Sequence, residues 1–501
     1  MKRRGFIKST ALAAGAMAAA GKSLGTGWGR PNVLFIIVDQ WRQPRWFPQN
    51  ADLPGFNRLR KEGMSFSNFF TSAVPCSPSR ACFFTGLHIN QHGVESNVNF
   101  GANPDLDPSI PTFAHRFKQS GYRTPYFGKW HLSSMSKSVK DKLGAYGYDD
   151  WIPPDHHGLP YDGLSNDAKY ADQAISWLDR HGNKGPFLLT CSLINPHDIC
   201  YYRRLDVPPG LVPDVFDKLP DNWDDDLKDK PRVQAVYRQG YGKLMHTTPD
   251  QPRKVWLQYL DFYYYLQRKV DADIARLLAV LDKKGLAENT IVIFTSDHGD
   301  MCGSHKLQAK GPFVYQENNN VPLVVRWPGR VPAGAQTDCL SHSVDIFPTL
   351  VDLAGVPADT SYLPGKNLAA TCFDPAVANI NNHVLMAMGM SIRPAQDGSK
   401  GTPVIASLGK FLGVNAQNVP AKIRAIYDGR YKYARYFDQE LPEEYELYDL
   451  KNDPLEMKNL AHDPGYGSLE KQMAEKLADA EKKEMSPRSP AWPRIGVRAL
   501  V

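Results

Sequence analysis

No stretch of this 501-residue chain is long and apolar enough to cross a bilayer as a helix. The nearest candidate, the small-residue run at 11–20, has about half of the ~20 residues that a span requires. Cysteine is sparse: seven residues, at 76, 82, 191, 200, 302, 339 and 372, an odd number with neither zinc-ligand spacing nor a dense disulfide framework. A bridge between Cys191 and Cys200 in an oxidising compartment stays open on sequence grounds. There is no internal repeat. Net charge is almost absent as well, once the first 29 residues are set aside. The chain carries +6, but Lys2, Arg3, Arg4, Lys8 and Lys22 fall where there is no acid, and the remainder holds 54 cationic against 53 acidic side chains. A body so nearly neutral lacks the basic footprint of a nucleic-acid binder.

The early cations form a pattern. Lys2-Arg3-Arg4-Gly5-Phe6-Ile7-Lys8 is a twin-arginine motif ahead of the short apolar run, and Ala18-Ala19-Ala20 offers a cleavage site. Residues 1–29 therefore read as an export signal for the twin-arginine machinery, which places the mature protein in the periplasm or outside the cell. That machinery moves folded proteins, so a cofactor or a modified cysteine would be installed beforehand.

Beyond the signal, apolar runs of strand length alternate with helical patterns. Residues 33–38 suit a parallel strand buried on both faces and end on Asp39-Gln40. A helix carrying Ile110, Phe113 and Phe117, stopped by Gly121, precedes a strand at 123–127 that runs into Gly128-Lys129-Trp130-His131. A third strand, 187–194, leads to Asn195-Pro196-His197-Asp198. A long helix with Leu266, Val270, Ile274, Leu277 and Leu281 on one face stops at Gly285, and strand 291–296 follows, ending on Asp297-His298-Gly299-Asp300. Residues 322–327 make a fifth strand. This order predicts an α/β fold, a mostly parallel sheet flanked by helices, over residues 30–375. In four cases a chemically capable residue follows a strand's carboxyl end, where open α/β sheets hold ligands. Residues 199–254 are too long for a plain connection and read as an excursion over the site. From 376 to 501 the pattern changes to a smaller α+β unit. Its strands are expected at 384–388, 425–427, 431–436 and 445–450, with a hairpin turn at Asp428-Gly429 and a packing helix from Ser468. The Pro-rich end, 486–493, reads as a surface-wrapped tail.

The stretch Cys76-Ser77-Pro78-Ser79-Arg80, continuing Ala81-Cys82-Phe83-Phe84-Thr85-Gly86, carries the chemistry. Pro78 fits a helix's first turn, which puts Cys76 just outside the helix, beside free N–H groups and the positive end of the dipole. Arg80 adds a fork of donors for an anion. Asp39, Gln40, Asp297 and His298 make an oxygen-rich set with one imidazole. Such a set suits a hard divalent cation, Ca²⁺ ahead of Mg²⁺, with Mn²⁺ or Zn²⁺ tolerated.

These strings resemble the type I sulfatases of the alkaline-phosphatase-like superfamily, whose Cys-x-Pro-Ser-Arg cysteine is oxidised to formylglycine by a maturation enzyme. The resemblance covers most of residues 31–460. It implies metal ligation by Asp39, Gln40, Asp297 and His298 together with the modified Cys76. It also implies catalytic parts for Cys76, Arg80, Lys129, His131, His197 and Lys310. In the family scheme a hydroxyl of hydrated formylglycine attacks sulfur, with Asp297 near enough to take its proton. His197, with Lys310, protonates the departing alcohol, and His131 deprotonates the second hydroxyl so that sulfate leaves. Arg80, Lys129 and Lys310 offset the ester's charge. The chain departs from the family pattern in having Asp39-Gln40 where many members have Asp-Asp, a pairing also found in choline-sulfatase-like and phosphonate-hydrolase-like relatives. It departs again where Gln316 precedes Glu317. A sulfated carbohydrate is the expected substrate, with aryl sulfate, choline sulfate or a phosphonate ester as alternatives, and a non-catalytic sulfated-glycan binder as a remote one. Trp41 and Arg42, with Tyr201, Arg203 and Arg204, are expected at the pocket rim, where aromatic and guanidinium groups suit sugar rings and anions.

Overall fold

The computed structural model describes residues 29–46, 51–98, 103–134, 143–208, 210–245, 250–377, 379–389, 419–420, 422–438 and 441–495. All but the last residue of the expected export signal lies outside them.

The larger unit contains β1 (Asn32–Asp39), α1 (Pro54–Glu62), β2 (Met64–Phe66), α2 (Cys76–Thr85), α3 (Phe113–Gln119) and β3 (Tyr126–Gly128). It continues through α4 (Asp162–His181), β4 (Leu188–Pro196), α5 (Arg232–Met245), α6 (Arg253–Lys283), β5 (Thr290–Ser296), β6 (Leu323–Arg326), β7 (Gln336–Thr337) and α7 (Ile346–Leu353). The seven strands lie in the order β3-β4-β1-β5-β6-β2-β7. The β3–β4, β4–β1 and β1–β5 pairs are parallel, whereas β6 runs antiparallel to both β5 and β2. The fold is thus a mixed, mostly parallel sheet flanked by helices.

The apolar run of β1 explains the layering, because a period of two sends alternate side chains to opposite faces. Val33, Phe35 and Ile37 enter one core with Phe84 of α2 and Phe113 of α3, while Leu34, Ile36 and Val38 enter another with Phe56 of α1 and Ile274 and Leu277 of α6. Phe35 meets Phe113 edge-on, ring centroids 5.6 Å apart. Burying such a ring contributes roughly 2–3 kcal/mol. Strand β3 is shorter than the sequence pattern predicts. Pro125 has no N–H for the ladder, so Arg123 and Pro125 make only isolated bridges. The excursion after β4 is more regular than its composition predicts, since it holds the 14-residue helix α5.

The smaller unit is an antiparallel sheet of β8 (Val384–Gly389), β9 (Lys422–Tyr427), β10 (Tyr431–Phe437) and β11 (Glu444–Asp449). The hairpin turns at Asp428-Gly429, with Gly429 at φ +95°, a value that glycine adopts without a Cβ clash. Helix α8 (Gly467–Glu484) lays Met473, Leu477 and Ala480 on this sheet. The two units share a continuous interior, in which Ala73 and Cys82 of the large one pack with Leu385 and Tyr433 of the small one. The Pro-rich end returns to the large unit, where Ile495 N donates to Ser109 O at 2.9 Å.

Candidate active site

Strand ends converge on the amino end of α2. Asp39 closes β1, Lys129 follows β3, His197 follows β4, and Asp297 and His298 follow β5. Cys76 is the first residue of α2, not just outside it as expected, and Pro75 occupies the N-cap with no side-chain cap. Few of the first turn's backbone donors stay open: Ser77 N–H goes to Asn97 Oδ1 at 3.0 Å, Ser79 N–H to Pro75 O at 3.1 Å, and Pro78 has none.

Asp39, Cys76, Asp297 and His298 present one ligand atom each within 4.8 Å of one another, all buried. Cys76 Sγ lies 3.2 Å from His298 Nε2 and 3.8 Å from Asp39 Oδ1. The tautomer of His298 is set from behind. Its Nδ1–H donates to Gly299 O at 3.0 Å, which leaves Nε2 facing Cys76 and the carboxylates. Asp297 Oδ1 accepts from the backbone N–H groups of Gln40 (3.1 Å) and His298 (2.9 Å). Its other oxygen, Oδ2, is buried with no hydrogen-bond donor and has only the Arg80 guanidinium 3.6 Å away. A bare carboxylate oxygen beside a second buried carboxylate, a thiol and an imidazole nitrogen is the donor set that a divalent cation satisfies, so these four residues fit such an ion.

Cations ring the cluster. Lys129, fully buried, pairs with Asp39 Oδ2, and Arg80 donates through Nη1 and Nη2 to Ser192 Oγ at 3.1 and 2.7 Å. Burial works against Asp39's charge, yet Lys129, His197, Lys310 and His298 together hold its carboxyl well below the usual range. Burial and the Asp39 charge push Asp297 the other way. One carboxylate of the pair is thus firmly ionised while the other is frustrated, which again favours a cation.

Lys310 Nζ donates to Gln40 Oε1 at 2.5 Å, and Gln40 Nε2 donates to Asp300 Oδ2 at 2.5 Å. Gln40 thus borders the four-residue cluster with its amide spread between Lys310 and Asp300. His131 and His197 are both buried, and each has an Nδ1 without a partner. Gly158 packs against the His197 ring so closely that a Cβ there would lie 2.5 Å from Cε1.

The rim expectation is corrected for two residues. The chain turns at Gln40 (φ +75°), and Trp41 goes back into the core between Phe56 and Phe294. Arg42 is buried too, its backbone N–H held by Tyr263 Oη at 2.9 Å and its charge facing Glu317. Tyr201 does stand beside His197, ring centroids 6.4 Å apart, and its hydroxyl donates to Gly158 O. Arg203 and Arg204 belong to the same 3₁₀ turn, His197–Arg204, with side chains outside the description. Cys191 and Cys200 are both free thiols, and Cys200 Sγ points at Gln40 Oε1, 3.3 Å away.

Sequence reasoning missed Ser192, Asp155 and His157. Ser192 Oγ receives the Arg80 fork and donates to Lys129 O. Asp155 accepts from the backbone N–H of Trp130 and His131 at 2.9 and 2.8 Å. None carries a local signal: Ser192 is mid-strand, and the other two lie in a loop without periodicity.

Comparison with known proteins supplies the family. The family described as Sulfatase matches residues 31–356, and that described as N-sulphoglucosamine sulphohydrolase, C-terminal, matches 362–483. Arylsulfatase K of Canis lupus familiaris is 29% identical over 90% of this chain and 84% of its own length. A Delta 4,5-hexuronate-2-O-sulfatase of Bacteroides thetaiotaomicron is 27% identical over 88% and 86%. The fold is also that of a phosphonate monoester hydrolase of Agrobacterium radiobacter, with a TM-score of 0.72 and 22% identity over 91% of this chain and 96% of the other. With most of its length matched by the family pattern, the chain belongs to the sulfatase family, a group of sulfuric ester hydrolases.

Proposed function

We propose that this protein hydrolyses a sulfate monoester of a carbohydrate, with Cys76 as the precursor of a formylglycine nucleophile and a divalent cation, Ca²⁺ by the hardness of its ligands, held by Asp39, Asp297 and His298. One observation supports this reading above the others: Cys76 heads α2 inside a fully buried cluster of two carboxylates, an imidazole, Lys129 and Arg80. Hydrated formylglycine would supply a hydroxyl nucleophile, and the cation would supply positive charge against the sulfuryl oxygens.

The remaining work falls to the chain's own groups. Arg80, Lys129 and Lys310 offset the charge of the bound ester among buried side chains. Lys310 Nζ and His197 stand as proton donors to the leaving oxygen. Burial and the Lys310 charge hold His197 well below its ordinary value, and a bound anion opposes both effects. His131 is the base, because its Nδ1 is buried and bare. The carbohydrate assignment draws on the hexuronate sulfatase likeness and on Tyr201 beside His197. Export through the twin-arginine route, to the periplasm or beyond the cell, belongs to the same proposal and draws on residues 1–29 alone.

The test is a panel of defined sulfated saccharides with an aryl sulfate, choline sulfate and a phosphonate monoester, read by sulfate and phosphonate release. Peptide mass spectrometry of the Cys76 segment accompanies it. Turnover of saccharide sulfates by protein that carries a carbonyl at position 76 is expected. Preferred release of phosphonate would move the chain to the hydrolase whose fold it shares.

A further inference from the structure

The loop between β3 and α4 holds a second imidazole against the proposed base. The His157 ring lies nearly parallel to that of His131, with centroids 5.3 Å apart and planes 22° apart. Asp155 brackets the pair. Its carboxylate accepts from the backbone N–H of His131 at 2.8 Å, and its carbonyl accepts from His157 Nδ1–H at 3.0 Å. His131 sits at φ +57°, a left-handed backbone uncommon outside glycine. Its Nε2 faces Val98 O at 3.2 Å. A carbonyl only accepts, so Nε2 carries the proton and neutral Nδ1 keeps its lone pair. If His131 were protonated, Nδ1–H would be a buried donor with nothing to receive it. Burial first, then the neighbouring Lys129, His157 and Arg80 set against Asp39, also disfavour the cation.

We propose that His157 is a positioning residue for His131: a stacked plate that fixes the ring plane, and so keeps Nε2–H on Val98 O and Nδ1 bare. A flat face is what the role requires, not a second proton acceptor. This rests on His131 being the base of the sulfatase reading, which is tested separately.

The experiment compares matured full-length protein with the His157→Ala, His157→Phe and His131→Ala variants. In His157→Ala, kcat should fall about 10- to 100-fold while KM stays within about twofold. His157→Phe should hold kcat within about threefold, since a ring of similar footprint still covers His131. In the unmatured chain, with Cys76 intact, long-range proton–nitrogen NMR should show one His131 tautomer with bare Nδ1 in wild type and His157→Phe. The His157→Ala chain should show exchange between tautomers at the same melting temperature.

A loss confined to KM would make His157 a substrate contact and overturn the proposal. So would a His157→Phe variant as slow as His157→Ala, or His131 resonances unmoved in His157→Ala. Full activity in His131→Ala would instead overturn the assignment of the base.

Discussion

Asp39 and Asp297 are two fully buried acids, set around one sulfur and one imidazole. Carboxylates this close repel each other unless something positive lies between them, and Lys129 and Arg80 cover only their outer sides. Chelation should therefore cost stability as well as turnover. Dialysis against EGTA should lower the melting temperature, and added Ca²⁺ should restore it in a concentration-dependent way, by about 2.7 kcal/mol at a hundred times Kd. An unchanged melting curve would mean that no ion is held there. Cys76→Ala should abolish turnover, by at least about 10⁴-fold, with circular dichroism and melting little changed, because the side chain is small and its neighbours are polar. Lys129→Ala should do both kinds of harm. It leaves Asp39 buried without its partner, a loss on the order of 3–5 kcal/mol, measurable by urea unfolding of the unmatured chain. At this scale the sequence showed most of the ionisable groups, since each follows a strand's end or heads a helix. Trp41 and Arg42 misled, because the turn at Gln40 reverses which way their side chains point.

Strands β3 and β4 show how an element places a residue. Gly128 ends β3 at φ +114°, and a Cβ there would lie 1.8 Å from Ser192 O. That contact brings Lys129 N to within 3.0 Å of Ser192 O and sets Lys129 across from Asp39. Gly128→Ala must separate the two strands. It should destabilise the protein by more than about 3 kcal/mol or prevent soluble expression, whereas Gly185→Ala, at φ +116° but with nothing within 4 Å, should cost only its backbone strain of about 1–2 kcal/mol. Comparable melting of the two variants would refute the close-approach argument. The apolar runs at 33–38 and 291–296 were legible because a doubly buried strand has little polar content. The reach of α5 was not, since its aromatic and polar residues face both the excursion and the smaller sheet, which blurs the helical period.

Across the molecule, the two units are joined by apolar contact and by a buried ion pair of the smaller unit whose members bond backbone groups of the larger one. Lys432 of β10 pairs with Glu456 where both are 1% exposed, and Glu456 Oε2 accepts from Gln316 N at 2.8 Å, a few residues beyond Lys310. Glu456→Ala leaves Lys432 buried and unbalanced. It should destabilise by about 3–5 kcal/mol and lower kcat through the displaced Lys310 loop. Acid should destabilise the whole protein. Burial holds His92 at about 3 and His115 at about 4, both below the ordinary 6.5. The unfolded chain therefore takes up these protons first. Each residue's stabilisation is complete above pH 6.5 and drains away as pH falls toward its folded value, by up to about 1.4 kcal/mol per pH unit. Melting temperature should drop between pH 7 and pH 5, with a shallower drop in His92→Asn. Equal slopes would remove His92 from the account.

The amino-acid order by itself determined the alternation of strands and helices, the helix that Cys76 heads and the chemical kinds gathered at the strand ends. All of these follow from short-range rules of periodicity, capping and composition. Only the tertiary structure decided that Asp155 and His157 bracket His131, that Ser192 receives Arg80, that Gln40 spans Lys310 and Asp300, and that Trp41 is core. The physical reason is that those relations join segments tens to hundreds of residues apart, and they exist only once the sheet's register and the turns at its edge have been set.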